Sequence, residues 1–165
     1  MTDILNAIHP FLAPVGRLML AALLGSLLGL EREWHRRSAG LRTNTLIALG
    51  SAAFTLVSIE LAARQGTGDA TRIPAMIVSG IGFLGGGAIL RTRSGVRGLT
   101  TAAAIWVNAA IGMAAGAGLV VLAISVTLTA LLVLTVLKRV ENRMDRYRPQ
   151  RRDKGQSLDE RSAEN

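Results

Sequence analysis

The chain contains no cysteine. That excludes a disulfide scaffold, a thiolate zinc site and a cysteine nucleophile. It has two histidines, His9 and His35, so a multi-histidine metal site within one chain is excluded as well. Negative charge is missing over a long stretch: there is no Asp or Glu between Asp69 and Glu141. From Leu99 to Leu137 there are 39 consecutive residues without a charge of either sign. A helix of a soluble domain needs a polar face, which such a run does not supply. Apolar runs of about 18 residues or more read as membrane spans instead. What is present agrees with this: half of the 165 residues are hydrophobic, 18 are glycine, and the net charge is +8.

Five spans are expected, at about residues 11–30, 43–63, 73–90, 99–117 and 119–137, which makes 1–137 a transmembrane domain. The long uncharged run breaks near Gly116 to Gly118, because it is too long for one crossing. Pro74 falls in the first turn of its span, where a missing N–H is tolerated. A cleaved signal peptide is not expected, since no Lys or Arg precedes Arg17 and no A-x-A site follows. Residues 138–165 form a basic tail, which prolongs the last helix as far as Pro149 and is then polar and disordered.

Orientation follows from Lys and Arg. The segments 31–42, 91–98 and 138–165 hold 16 of the 19 basic residues. Placing them in the cytoplasm puts the amino terminus outside and the carboxyl terminus inside. The net positive charge is then positive-inside bias, and nucleic acid is not an expected partner. The fold class is all-α, a polytopic membrane helix bundle.

The motifs are few. Gly80 to Gly85 spell G-x-G-x-x-G, but a dinucleotide site needs an acid about 20 residues on, and there is none. Gly80, Gly82, Gly85, Gly86 and Gly87 are therefore expected to pack helices closely. A broken helix lining a cavity is the alternative. The pairs Gly25/Gly29 and Gly112/Gly116 repeat the four-residue spacing. Glu31, Arg32, Glu33, His35, Arg36 and Arg37 cluster after the first span. Two carboxylates two residues apart cannot reach one ion from the same helix face. The expectation is a solvated helix end with Glu31–His35 and Glu33–Arg37 pairs, and Trp34 as an interfacial anchor. Arg91, Arg93 and Arg97 suit anionic headgroups, an acidic partner surface, or Glu31 and Glu33. Glu60 is placed to pair with Arg64, and Arg17 to snorkel outward. Asn108, deep in the fourth span, is either interhelical glue or a functional amide. No carboxylate falls at a span midplane, which counts against a carboxylate-driven pump. No catalytic residue, bound metal or cofactor is expected.

Ser38 to Thr43 resembles Ser94 to Thr100, each an Arg-containing loop between spans. That is compatible with duplication of a two-span unit in parallel. Three further segments carry a family likeness: Gly29 to Thr43 (GLEREWHRRSAGLRT), Val78 to Leu90 (VSGIGFLGGGAIL) and Val96 to Val107 (VRGLTTAAAIWV). In order, they resemble the MgtC/SapB family over most of residues 14–120. The resemblance implies a bacterial inner-membrane protein, not an enzyme, linked to growth at low magnesium and, in pathogens, to survival in macrophages. It implies a regulatory role, restraint of the F-type ATP synthase and effects on membrane potential. Longer members carry a cytoplasmic ACT-like domain after the last span, which is expected to be absent here. Virulence-type members have Asn and Cys where this chain has Thr100 and Val107.

Two readings stand. One is a regulator that binds another membrane protein, with Glu31, Arg32, Glu33, Arg36, Arg42, Arg91, Arg97, Thr100 and Asn108 as candidate functional residues. The other is an oligomeric transporter or channel for Mg²⁺ or another small ion. Both place the chain in the lipid bilayer, and both are compatible with a homo-oligomer.

Overall fold

The computed structural model describes residues 2–66, 69–93 and 95–147. It is an all-α bundle of five helices: α1 (Thr2–Trp34), α2 (Leu41–Gln65), α3 (Arg72–Gly87), α4 (Leu99–Gly116) and α5 (Val120–Tyr147). A two-stranded hairpin, β1 (Leu90–Thr92) and β2 (Gly95–Arg97), sits between α3 and α4. The chain divides into two compact units, Met1–Leu132 and Val133–Asn165. In the second, the described part is the end of α5, aliphatic to Leu137 and charged from Lys138. The helical start of the tail is present as far as Tyr147. The expectation of disorder beyond Pro149 lies outside the described residues.

In the first unit α1, α2 and α4 form the core. Their register is set by small residues. A Cβ on Gly25 would lie 2.5 Å from the Ala48 Cβ, and one on Gly29 would lie 2.8 Å from the Leu41 Cα. A Cβ on Gly112 would strike the Ala48 carbonyl, and one on Gly116 would lie 2.6 Å from the Ala52 carbonyl oxygen. Without side chains the backbones come into contact, which is how helices gain dispersion energy where lipid supplies no hydrophobic drive. Rising numbers on α1 meet falling numbers on α2, so this pair is antiparallel. On α2 and α4 they rise together, so these two run parallel, the same-sense crossing expected of the two similar loops.

That parallel pairing fixes what α3 must do. The end of α2 and the start of α4 lie at opposite ends of the bundle. Ser58 on α2 donates to the Ala70 carbonyl at one end (2.9 Å). Gly85 on α3 meets Ala102 on α4 at the other. α3 therefore returns along the bundle. Among the described residues four helices are long and apolar enough to cross a membrane, Leu12–Trp34, Leu41–Gln65, Leu99–Gly116 and Val120–Val140. The helix expected as the third span, α3, is not among these four. It stops at Gly87 rather than residue 90, and its 16 residues rise only about 24 Å. Five glycines in eight residues lower its helix propensity, and the chain turns at Ala88 and Ile89 into the hairpin. The break after α4 falls where expected: Gly118, at φ +78°, takes the left-handed conformation that ends a helix without a Cβ penalty.

The glycines of α3 do not pack the core, contrary to the sequence reading. A Cβ at Gly80, Gly82, Gly86 or Gly87 would meet no heavy atom within 4 Å, and only Gly85 lies against a neighbour, Ala102. Their physical effect is to shorten and thin α3. Close approach falls instead to Gly25, Gly29, Gly112 and Gly116.

Candidate functional site

The end of the bundle that carries the hairpin gathers most of the chemistry. The last turn of α1 brings Glu31, Arg32 and His35 there. Arg32 is 3% exposed, and its Nη2 donates to the Thr101 hydroxyl on the first turn of α4 at 3.1 Å. Glu31 has a side chain only 8% exposed. Its Oε1 lies 2.8 Å from His35 Nδ1, and its Oε2 lies 3.9 Å from Arg32 Nη1. Glu31 Oε2 and Arg32 Nε are buried without a hydrogen-bond partner among the described residues. The expected Glu31–His35 pair is therefore present, and Glu33, Trp34, Arg36 and Arg37 are exposed as a solvated helix end requires, but Glu31 and Arg32 are not: the buried charge of Arg32 is held by an opposite charge and a hydroxyl from α4.

Glu33 does not pair with Arg37. Its Oε2 accepts the Leu41 N–H at 3.0 Å. A carboxylate there satisfies one of the first free N–H groups of α2 and favours the positive end of the helix dipole. A Cβ on Gly40 would collide with the Glu33 carboxylate, so glycine makes this reach fit. Arg36 lies in the turn between, in the left-handed region at φ +51°. Arg37 N–H donates to the Arg32 carbonyl at 3.0 Å and closes α1.

One turn deeper, Asn108 and Asn44 are both fully buried. Asn108 Nδ2 donates to the Asn44 carbonyl at 2.6 Å and to its Oδ1 at 3.2 Å. Asn44 Nδ2 donates to the carbonyls of Ala39 (2.8 Å) and Gly40 (3.0 Å). The amides thus tie α4 to α2 and to the loop that Glu33 caps. Asn108 Oδ1 is buried without a partner among the described residues. At the opposite end Arg17 does not simply snorkel. Its Nη1 donates to the Gly116 carbonyl at 3.2 Å, satisfying the C-terminus of α4. Glu60 pairs with Arg64 at 2.8 Å as expected.

Arg91 and Arg97 lie on the hairpin, paired across it with Val96 and Leu90, and Arg93 lies in its turn. All three are exposed. Among the described residues none makes an ion pair, so the pairing with Glu31 or Glu33 does not occur. Thr100, Arg36 and Arg42 are exposed too. Of the residues singled out from sequence, Glu31, Arg32, Glu33 and Asn108 are thus brought into one connected region, while Arg36, Arg42, Arg91, Arg97 and Thr100 border it. Sequence reasoning missed Thr101, one position from Thr100, and Asn44. The signal for Asn44 was available: it is the other amide at the start of an apolar span. No group of three His, Asp or Glu side chains converges among the described residues.

The sequence pattern of the MgtC family matches residues 18–143. The protein MgtC of Brucella abortus is 52% identical over 100 residues, 61% of this chain and 41% of the relative. The protein MgtC of Salmonella typhimurium is 44% identical over 128 residues, 78% of this chain and 54% of the relative. An uncharacterised protein of Synechocystis is 54% identical over 103 residues, 62% of this chain and 43% of the relative. The chain spans about half the length of these curated relatives. No solved structure matches it.

Proposed function

This chain belongs to the MgtC family, and from that premise we propose that it is a non-enzymatic regulator of the bacterial inner membrane, with its hairpin end in the cytoplasm. It acts in magnesium homeostasis and membrane energetics by docking that end on another membrane protein. The F-type ATP synthase is the partner that the family likeness implies. One observation carries the reading. The acids that would neutralise the hairpin are committed elsewhere, Glu31 to Arg32 and His35, and Glu33 to the Leu41 N–H. Arg91, Arg93 and Arg97 are left as an exposed cationic surface, and unpaired surface charge sets orientation and partner choice more than raw affinity.

A magnesium carrier has to replace a tightly held hydration shell, and usually does so with carboxylates. The two acids at this end stand among Arg32, Arg36 and Arg37, whose field opposes a divalent cation. Purified protein in liposomes should pass no Mg²⁺ above the empty-vesicle leak, read with a trapped dye under an inside-negative potential. In cells, Arg91→Ala with Arg97→Ala should abolish the physiological effect at normal protein level. Glu31→Ala is not the variant to use, because it strands a buried guanidinium and should lower the amount of folded protein. Saturable, protein-dependent Mg²⁺ influx would put the transporter reading in first place.

A further inference from the structure

Between α2 and α3 the helices part. The space is a trench of about 720 Å³, with Leu46, Gly50 and Phe54 on one wall, Met76, Gly80 and Leu84 on the other, and Ile105 of α4 at its floor. Gly50 and Gly80 face open space, since a Cβ on either would meet nothing within 4 Å. Missing side chains on both walls give the trench its width. α3 rests on α4 instead, through Gly85 against Ala102 and the cluster of Ile47, Ile81, Ile105 and Ala109.

Among the residues that line the trench itself Arg42 alone is charged, and the cavity that adjoins its other end through Ile73 and Met76 holds both an acid, Asp69, and a base, Arg72. Arg42 lines the trench at the hairpin end, together with Thr43. Arg42 is exposed and makes no ion pair among the described residues. Its sequence neighbour in charge, Glu33, is occupied by the Leu41 N–H. A second cavity of about 630 Å³ shares Thr43, Leu84 and Ile105 and reaches Ser38 and Gly87, so space continues from the trench towards the hairpin end. From Arg42 to Phe54 α2 rises about 18 Å, close to the roughly 15 Å of hydrocarbon in one leaflet.

We propose that this trench is a binding site for one anionic phospholipid, with its phosphate at Arg42 and an acyl chain laid between α2 and α3. The lining suits an acyl chain: apart from Arg42, Thr43 and Ser51 it is made of apolar side chains and glycines, and its length matches one leaflet of hydrocarbon. The charge selects the headgroup: a cation without a counter-ion, at the headgroup level of an apolar trench, attracts an anionic lipid over a zwitterionic one. The site lies apart from the hairpin arginines and does not depend on the regulatory reading.

The test uses the full chain purified in a neutral maltoside. Phosphatidylglycerol and phosphatidylcholine with the same chains are titrated in, with melting temperature and native mass spectrometry as readouts. Phosphatidylglycerol should raise the melting temperature saturably and be retained as one copy, and phosphatidylcholine should do so less. Glycerol phosphate, which has the headgroup charge and no chain, should give no shift. Arg42→Gln should bind phosphatidylglycerol about fivefold more weakly and lose the preference. Gly50→Leu and Gly80→Leu, whose Cβ atoms enter open space, should lose the retained lipid while keeping native helicity and a monodisperse profile. Equal shifts from both lipids in wild type and Arg42→Gln overturn the proposal, as does undiminished retention in both leucine variants. A dimer that Gly80→Leu breaks, with no lipid retained, would assign the trench to a second copy and overturn it too.

Discussion

At the scale of single residues, the buried amides matter most. Asn108→Ala removes the donor that holds Asn44 and leaves two acceptors buried. We expect a loss of about 1–2 kcal/mol, the usual range for such a bond and its abandoned partner, read as a lower melting temperature in detergent. Asp69, in the loop before α3, gives a pH dependence. Its carboxylate accepts the Thr71 hydroxyl (2.6 Å) and N–H (2.8 Å), and these bonds, with Arg72 nearby, hold the carboxyl below its ordinary value. A depressed folded pKa means stabilisation that is present above the unfolded value of about 3.9 and is lost as the pH falls through the folded one. Titration of Asp69 should therefore show a midpoint below the usual Asp range, and Thr71→Val should move it up. The importance of Asn108 was legible because an amide inside an apolar run stands out. Its partner was not, because 64 residues separate the two and no local pattern links them. Glu33 shows a similar limit. Spacing offered Arg37 four positions on, but a cap on the next helix depends on how the turn folds, and that rests on Gly40 and on Arg36 in a left-handed conformation.

Among the elements, the long helices follow from uncharged runs that nothing else explains. The short ones do not. Three-residue strands carry no readable alternation, so the hairpin was invisible, and residue 90 was assigned to a span that ends at Gly87. The glycines separate into two populations that sequence spacing cannot distinguish. Gly112→Ala should cost about 1–3 kcal/mol, the scale of overpacking, because the α2 backbone sits where the new methyl would go. Gly82→Ala should be neutral or stabilising by up to about 1 kcal/mol, since only helix propensity changes there. Paired thermal melts in detergent check both. If the two variants melt alike, the close approach of α2 and α4 is not what holds the bundle together.

For the whole molecule, the parallel run of α2 and α4 requires α3 to return along the bundle, and we propose that this return is a membrane crossing, which makes the number of crossings odd. Reporters placed after Arg93 and after Asp69 should report opposite sides, the cytoplasm for the first and the periplasm for the second. Activity of both on the same side would mean that α3 does not cross. On that proposal the crossing is a short one. A stretch of about 24 Å has to serve where the hydrocarbon is about 30 Å thick, and the shortfall cannot be relieved by tilting, which only shortens a helix further along the normal. The bilayer should then thin beside α3, at a cost of fractions of a kcal/mol per ångström. On this proposal the molecule carries a hydrophobic mismatch on one flank, and its lateral position in the membrane becomes a consequence of its fold: thinner patches, and the thinned annulus around other proteins, are where it should gather.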